Sequence, residues 1–136
     1  MALRSGIDIV EINRLEEINP AIRARFINRV FTPAEQALTR GLTPSLSGRF
    51  AAKEAVSKAL GTGIGAVHWQ DIEILRGPAG EPVLQLHGRA REVAAQLGLT
   101  EWSVSISHGR THAVATAVAL GPGPVEAPQN EDLIGQ

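Results

Sequence analysis

The chain has 136 residues, room for one compact domain with a core and too little for two ordinary enzyme domains. With 43% apolar and 20% charged residues, wholesale disorder and a fibrous repeat are both excluded, and the absence of cysteine removes disulfides, thiol nucleophiles and thiolate zinc sites while leaving histidine and carboxylate metal sites open. The net charge of −1 hides an asymmetry: residues 121–136 hold Glu126, Glu131 and Asp132 and no basic residue, which leaves thirteen basic against eleven acidic side chains, or +2, on the rest. So small an excess, with 4% aromatics and no tyrosine, argues against a nucleic-acid partner, although a local basic patch is allowed. No apolar run approaches the roughly 20 residues of a membrane helix, and Met1 to Ile9 has no signal-peptide core, so the expectation is a cytoplasmic protein without a membrane partner.

Ser5 to Ile12 is rich in β-branched residues and predicts a strand with two largely apolar faces, as at a buried position, interrupted by Asp8. Asn19-Pro20 breaks the chain, and Ala21 to Val30 then predicts a helix with Ile22, Phe26 and Val30 on one face and Arg23, Arg25 and Arg29 mostly elsewhere. Thr32-Pro33-Ala34-Glu35 is a helix start running to about Arg40, and Thr43-Pro44 starts another that Gly61 ends. Asp71–Leu75 and Pro82–His87 flank the turn Gly77-Pro78-Ala79-Gly80 as a hairpin, and Gly88 to Gly98 brackets a short helix. Trp102, Val104 and Ile106 alternate with serines, and His112 to Leu120 returns as the partner strand of a second hairpin. The order predicts an α+β domain over residues 1–120, a mainly antiparallel sheet with packed helices, because the later strands lack the crossover helices of a parallel sheet. Residues 121–136, with three of the eight prolines and only acidic charge, are expected to be a disordered tail.

Four features could carry chemistry. Asp8 stands inside an apolar strand, where desolvation demands compensation by a salt bridge to a Lys or Arg, or by a metal or catalytic role. Glu54 and Lys58 share a helix face, as an ordinary surface pair or as the charged wall of a cleft, since Ala51, Ala52, Ala55 and Ala59 let the opposite face pack closely. With Asp8, they could hold Mg²⁺ and a phosphate together. Gly61-Thr62-Gly63-Ile64-Gly65 follows a helix rather than preceding one, so it reads first as a helix stop, second as backbone approaching an anion. Ser107-His108 closes a strand before a turn; adjacent strand residues point to opposite faces, so a Ser/His nucleophile is poor, and His108 as a phosphate or hydroxyl contact is better. His68, His87 and His112 show no zinc spacing.

Together Gly6-Ile7-Asp8-Ile9-Val10-Glu11-Ile12, Phe31-Thr32-Pro33-Ala34-Glu35 and the run from Arg49 to Gly61 resemble the holo-acyl-carrier-protein synthases, the small 4′-phosphopantetheinyl transferases. Trp69 to Ile74, Gly80-Glu81-Pro82 and Ser103 to His108 extend the resemblance over about Leu3 to Leu120. It implies the 4′-phosphopantetheinyl transferase fold and transfer of the phosphopantetheine arm of coenzyme A to a serine of apo acyl carrier protein, releasing adenosine 3′,5′-bisphosphate. It further implies Asp8 and Glu54 as Mg²⁺ ligands, Lys58 at the phosphates with Glu54 as the other catalytic residue, and Gly61, Gly63 and His108 near the coenzyme. Homotrimers with the coenzyme between subunits are implied too, as is docking of the acidic carrier on the first helical region, with Arg14 and Arg25 the favoured contacts among Arg14, Arg23, Arg25 and Arg29. The segment Gly41 to Leu46 looks short for the family, and the acidic extension departs from its pattern. Two readings compete: a non-catalytic module that binds coenzyme A or an acidic protein, and a metal-dependent pyrophosphate hydrolase with the same ligands.

Overall fold

Alternation along β1 (Ala2–Glu11) sends Arg4, Gly6, Asp8 and Val10 to one face of the strand and Leu3, Ser5, Ile7 and Ile9 to the other. In the computed structural model, which describes residues 1–125, β1 pairs antiparallel with β5 (His112–Gly121) from Ala2↔Gly121 to Glu11↔His112. The other side of β5 pairs with β4 (Glu101–His108), giving the order β1-β5-β4. A separate hairpin joins β2 (Ile72–Arg76) to β3 (Pro82–Leu86). Both expected hairpins are present and every named strand pair is antiparallel, as the α+β reading requires; Asp71 belongs to a 3₁₀ turn, Trp69–Asp71, rather than to β2, and His87 to the start of the following helix. The pairing of the first strand with the last is a long-range contact that no local pattern announces. Structural order also passes position 120, since the Gly123 amide donates to the Gly98 carbonyl; residues 126–136, where most of the expected disordered tail falls, lie outside the described residues.

The helices start where their capping residues dictate. Asn19 accepts from the Ala21 amide ahead of α2 (Pro20–Val30), and Thr32 with Glu35 forms a capping box on α3 (Pro33–Thr39). Helix α4 (Thr43–Leu60) ends at Gly61, whose φ of 78° is the left-handed conformation glycine adopts freely. Helix α5 spans Gly88–Gln96. A five-residue helix, α1 (Asn13–Glu17), was not expected from the sequence, because it is too short to show a helical period.

Helix α4 lies across the inner face of the β1-β5-β4 sheet, with Ala51, Ala52, Ala55 and Ala59 fully buried beneath it. The contact is close: a Cβ built on Gly6 would stand 1.9 Å from the Ala55 backbone carbonyl oxygen, and one on Gly48 would stand 2.8 Å from a side-chain methyl carbon of Ile106. The opposite side of α4 meets α3 and β2 through a buried polar cluster. Lys53 Nζ donates to Glu35 Oε1 at 2.7 Å and to the carbonyls of Trp69 and Ile72, and Glu35 Oε2 accepts from the Ile74 amide at 2.9 Å. Removing one partner of such a pair strands a buried charge, at a cost of about 3–5 kcal/mol. A smaller core of Ile27, Val30, Phe31 and Leu46 gathers Phe26, Phe50 and Trp69 around it, Phe50 stacking on Trp69 with ring centroids 5.0 Å apart.

One expectation is corrected. The sheet is covered on one face only and β1 is its edge strand, so the outward side chains Leu3, Ile7 and Ile9 are exposed, Ile9 by 65%, together with Val118 and Leu120. Among the described residues, no helix is long and apolar enough to cross a membrane.

Candidate active site

Asp8 points inward from β1, two residues beyond the glycine on which α4 rests. That close approach brings Lys58, on the flank of α4, to the strand: its ammonium donates to Asp8 Oδ1 at 3.0 Å and to the Ile7 carbonyl at 2.9 Å. The salt-bridge reading of Asp8 thus has its partner, while the surface-pair reading of Glu54 with Lys58 does not hold, because the lysine reaches across to the strand instead. Asp8 is less deeply desolvated than an interior strand position would make it, its side chain being 18% exposed. Glu54 is half-buried on the same flank; burial first, and then the charge of Asp8, push its carboxyl above its ordinary range, with Lys58 working against both.

The donor set fits a hard divalent cation. Among the described residues, no group of three or more His, Cys, Asp or Glu side chains is placed to hold a metal, which disfavours an all-protein cage. Two neighbouring carboxylates, one of them with its proton affinity raised by burial and by the charge of the other, with an ammonium between strand and helix, suit Mg²⁺, which keeps several waters and completes its shell with substrate phosphate oxygens.

The other sequence-predicted residues fall into three places. Gly61 and Gly63 sit at the end of α4, where the Gly61 amide donates to the Lys58 carbonyl and the amides of Thr62 and Gly63 donate to the Ser57 carbonyl. His108 lines a polar cleft of about 220 Å³ with Ser45, Arg49, Arg76 and Pro82. The structure does not bring it to Asp8 within one chain, since β4 and β1 are opposite edges of the sheet with β5 between them. Arg49 and Arg76 were missed by the sequence reading. The only signal was that each flanks a recognised block, Arg49 at the head of the α4 run and Arg76 before the Gly77 turn.

Arg14 and Arg25 both project to solvent, from α1 and α2. Arg23 is less free, its guanidinium donating to the Gly41 carbonyl and to Thr43 Oγ1. Beside Arg14 opens an apolar groove of about 350 Å³ lined by Val10, Leu15, Ile18, Phe26 and Phe50. It adjoins the end of β1 that carries Asp8, and it escaped the sequence reading because part of its wall, Arg14, Leu15 and Ile18, is the short helix α1 and its exit.

A family model of the 4′-phosphopantetheinyl transferase superfamily matches residues 4–117. The chain is 54% identical over 121 residues to a holo-[acyl-carrier-protein] synthase of Moorella thermoacetica, covering 87% of this chain and 92% of that protein. Against the same enzyme of Natranaerobius thermophilus it is 48% identical over 121 residues, covering 87% and 97%. Its fold is similar to that of a crystal structure of Helicobacter pylori holo-[acyl-carrier-protein] synthase in complex with coenzyme A, with a TM-score of 0.77 at 35% identity, covering 85% of this chain and 99% of that one. Matched from the aspartate strand through β5, with α4 seated on that strand, the chain belongs to the 4′-phosphopantetheinyl transferase superfamily, among the holo-[acyl-carrier-protein] synthases.

Proposed function

We propose that the chain transfers the 4′-phosphopantetheine arm of coenzyme A to a serine hydroxyl of apo acyl carrier protein, releasing adenosine 3′,5′-bisphosphate, with Mg²⁺ held by Asp8 and Glu54. The observation that carries this reading is the meeting of Asp8, Glu54 and Lys58 on one flank of α4, from parts of the chain some fifty residues apart. The serine oxygen forms a bond to the phosphorus that bears the pantetheine arm, and the bond from that phosphorus to the bisphosphate oxygen breaks. Bound there, the metal would neutralise charge on the diphosphate oxygens. Lys58, half exposed and, among the described residues, tethered to Asp8 and a carbonyl, can turn its ammonium to the same oxygens. Glu54, whose proton affinity is raised, is suited to take the hydroxyl proton.

The nucleotide end of the coenzyme has a matching cleft at Arg49, Arg76 and His108, which favours two phosphate-facing guanidiniums and a ring nitrogen around an anion. The cleft and the carboxylates flank α4 on opposite sides, and the exposed apolar face around Ile9 asks for a cover, so the reading includes a homotrimer that joins one chain's cleft to a neighbour's carboxylates. Ile9→Lys is expected to yield monomers by sedimentation equilibrium and to lose transfer; a fully active monomer overturns the shared site.

Mass spectrometry tests the reaction: apo carrier should gain one phosphopantetheine only when coenzyme A and Mg²⁺ are both present, and no gain across a panel of carriers rejects it. Hydrolysis of coenzyme A without an acceptor would point to the pyrophosphatase instead. The carrier, being acidic, is read to dock on Arg14 and Arg25 with an apolar side chain in the groove beside Arg14. Arg14→Glu with Arg25→Glu should slow association about tenfold at low salt, and raising ionic strength from roughly 0.05 to 0.5 M should erase most of that difference. An on-rate indifferent to both changes removes this face from the interface.

A further inference from the structure

Helix α4 presents three working faces. Its alanines and Gly48 rest on the sheet, Glu54 and Lys58 look along the flank toward Asp8, and Arg49 and Lys53, four residues apart, face the hairpin β2-β3. On that third face every N–H of the Lys53 ammonium has an acceptor: the Glu35 carboxylate and the carbonyls of Trp69 and Ile72. Glu35 in turn accepts from the amides of Thr32 and Ile74, and Arg49 Nε donates to the Ile74 carbonyl at 3.1 Å. The pair is fully buried and is therefore no part of the ligand surface. Yet it fastens β2 at Ile72 and Ile74, and β2 carries Arg76 at its end, opposite Arg49 across the cleft.

We infer that Glu35 and Lys53 are positioning residues: by clasping β2 to α4 they hold Arg49 and Arg76 at the separation that the anionic nucleotide of the coenzyme requires, and so set coenzyme affinity rather than the rate of transfer. The inference rests on the functional reading above for the identity of the ligand. An apolar core would hold β2 against α4 without specifying its register along the helix, because hydrophobic contact is non-directional. Hydrogen bonds to Ile72 and Ile74 fix that register, and the two arginines inherit it.

The experiment uses the full chain with Glu35→Gln and Lys53→Met together, which removes both charges at nearly unchanged volume and leaves no buried ion unpaired. Coenzyme A binding is measured by calorimetry, and transfer kinetics are taken well below the melting temperature. The expected result is a dissociation constant and KM for coenzyme A raised about tenfold, the size typical of lost supporting contacts, with kcat changed by less than about threefold and Mn²⁺ binding as in the parent. A purely stabilising pair would lower the melting temperature and leave both constants of the folded enzyme alone; that result overturns the inference, as does a fall in kcat at constant KM. If the double variant does not fold, Glu35→Asp keeps the charge beside Lys53 but shortens the reach to the Ile74 amide, and the same split is expected at smaller size; an unchanged KM there is equally decisive. Lys53→Arg should not rescue, because its guanidinium cannot reproduce the three acceptor directions, whereas restoring Lys53 and Glu35 together should. Failure of the parent chain to bind coenzyme A would count against the functional reading and not against the clasp.

Discussion

Glu54→Gln and Asp8→Asn should each lower the rate of phosphopantetheine transfer by about a thousandfold, with the chain still folded and coenzyme A still bound. Each change keeps the shape of the side chain and removes the negative charge that the proposed divalent ion requires. The effects of the two carboxylates are not expected to add, because they act as one unit on one ion: the double variant should be little slower than either single one. In the protein as described, Lys58 bonds to Asp8 and not to Glu54, so the variants should differ in one respect. Asp8→Asn weakens the anchor of Lys58, whereas Glu54→Gln leaves it intact and removes the group proposed to accept the hydroxyl proton. Mn²⁺ affinity measured without coenzyme should fall in both. Near-parental transfer by either variant would remove that carboxylate from the reaction.

Gly6→Ala should be severely damaging for so small a change. The added carbon would sit 1.9 Å from the Ala55 carbonyl oxygen, which belongs to the backbone of α4 and cannot swing aside as a side chain would. Helix and sheet must separate, at a cost of about 3 kcal/mol, and α4 carries Glu54 and Lys58 away from Asp8 as it moves. Both the melting temperature and transfer should therefore fall together. Gly109→Ala is the control, because a Cβ there meets nothing within 4 Å. Equal stability of the two variants, by thermal unfolding, would mean that α4 does not rest on β1 at this point.

Local structure was legible where a residue's own chemistry decides it. The capping box at Thr32 and Glu35, the glycine stop at Gly61 and the alternating serines of β4 lie where the sequence places them, since each depends on neighbours within a few positions. Glu35 illustrates the boundary of that legibility. Its capping role was readable, but its second oxygen bonds the Ile74 amide and its first the Lys53 ammonium, partners 39 and 18 residues away. Nothing local distinguishes a cap that faces water from one sealed in the core.

The chain's own order of residues determined the fold class and the family and singled out Asp8, Glu54 and Lys58 as candidates, because short motifs and hydrophobic period are written in neighbouring positions. Tertiary structure alone decided that Lys58 turns to Asp8 instead of Glu54, that Gly61 and Gly63 spend their amides on the helix end, that His108 joins Arg49 and Arg76 on the far flank of α4, and that one face of β1 is left bare. These are outcomes of which surfaces meet, and a contact between distant segments depends on the packing of everything between them.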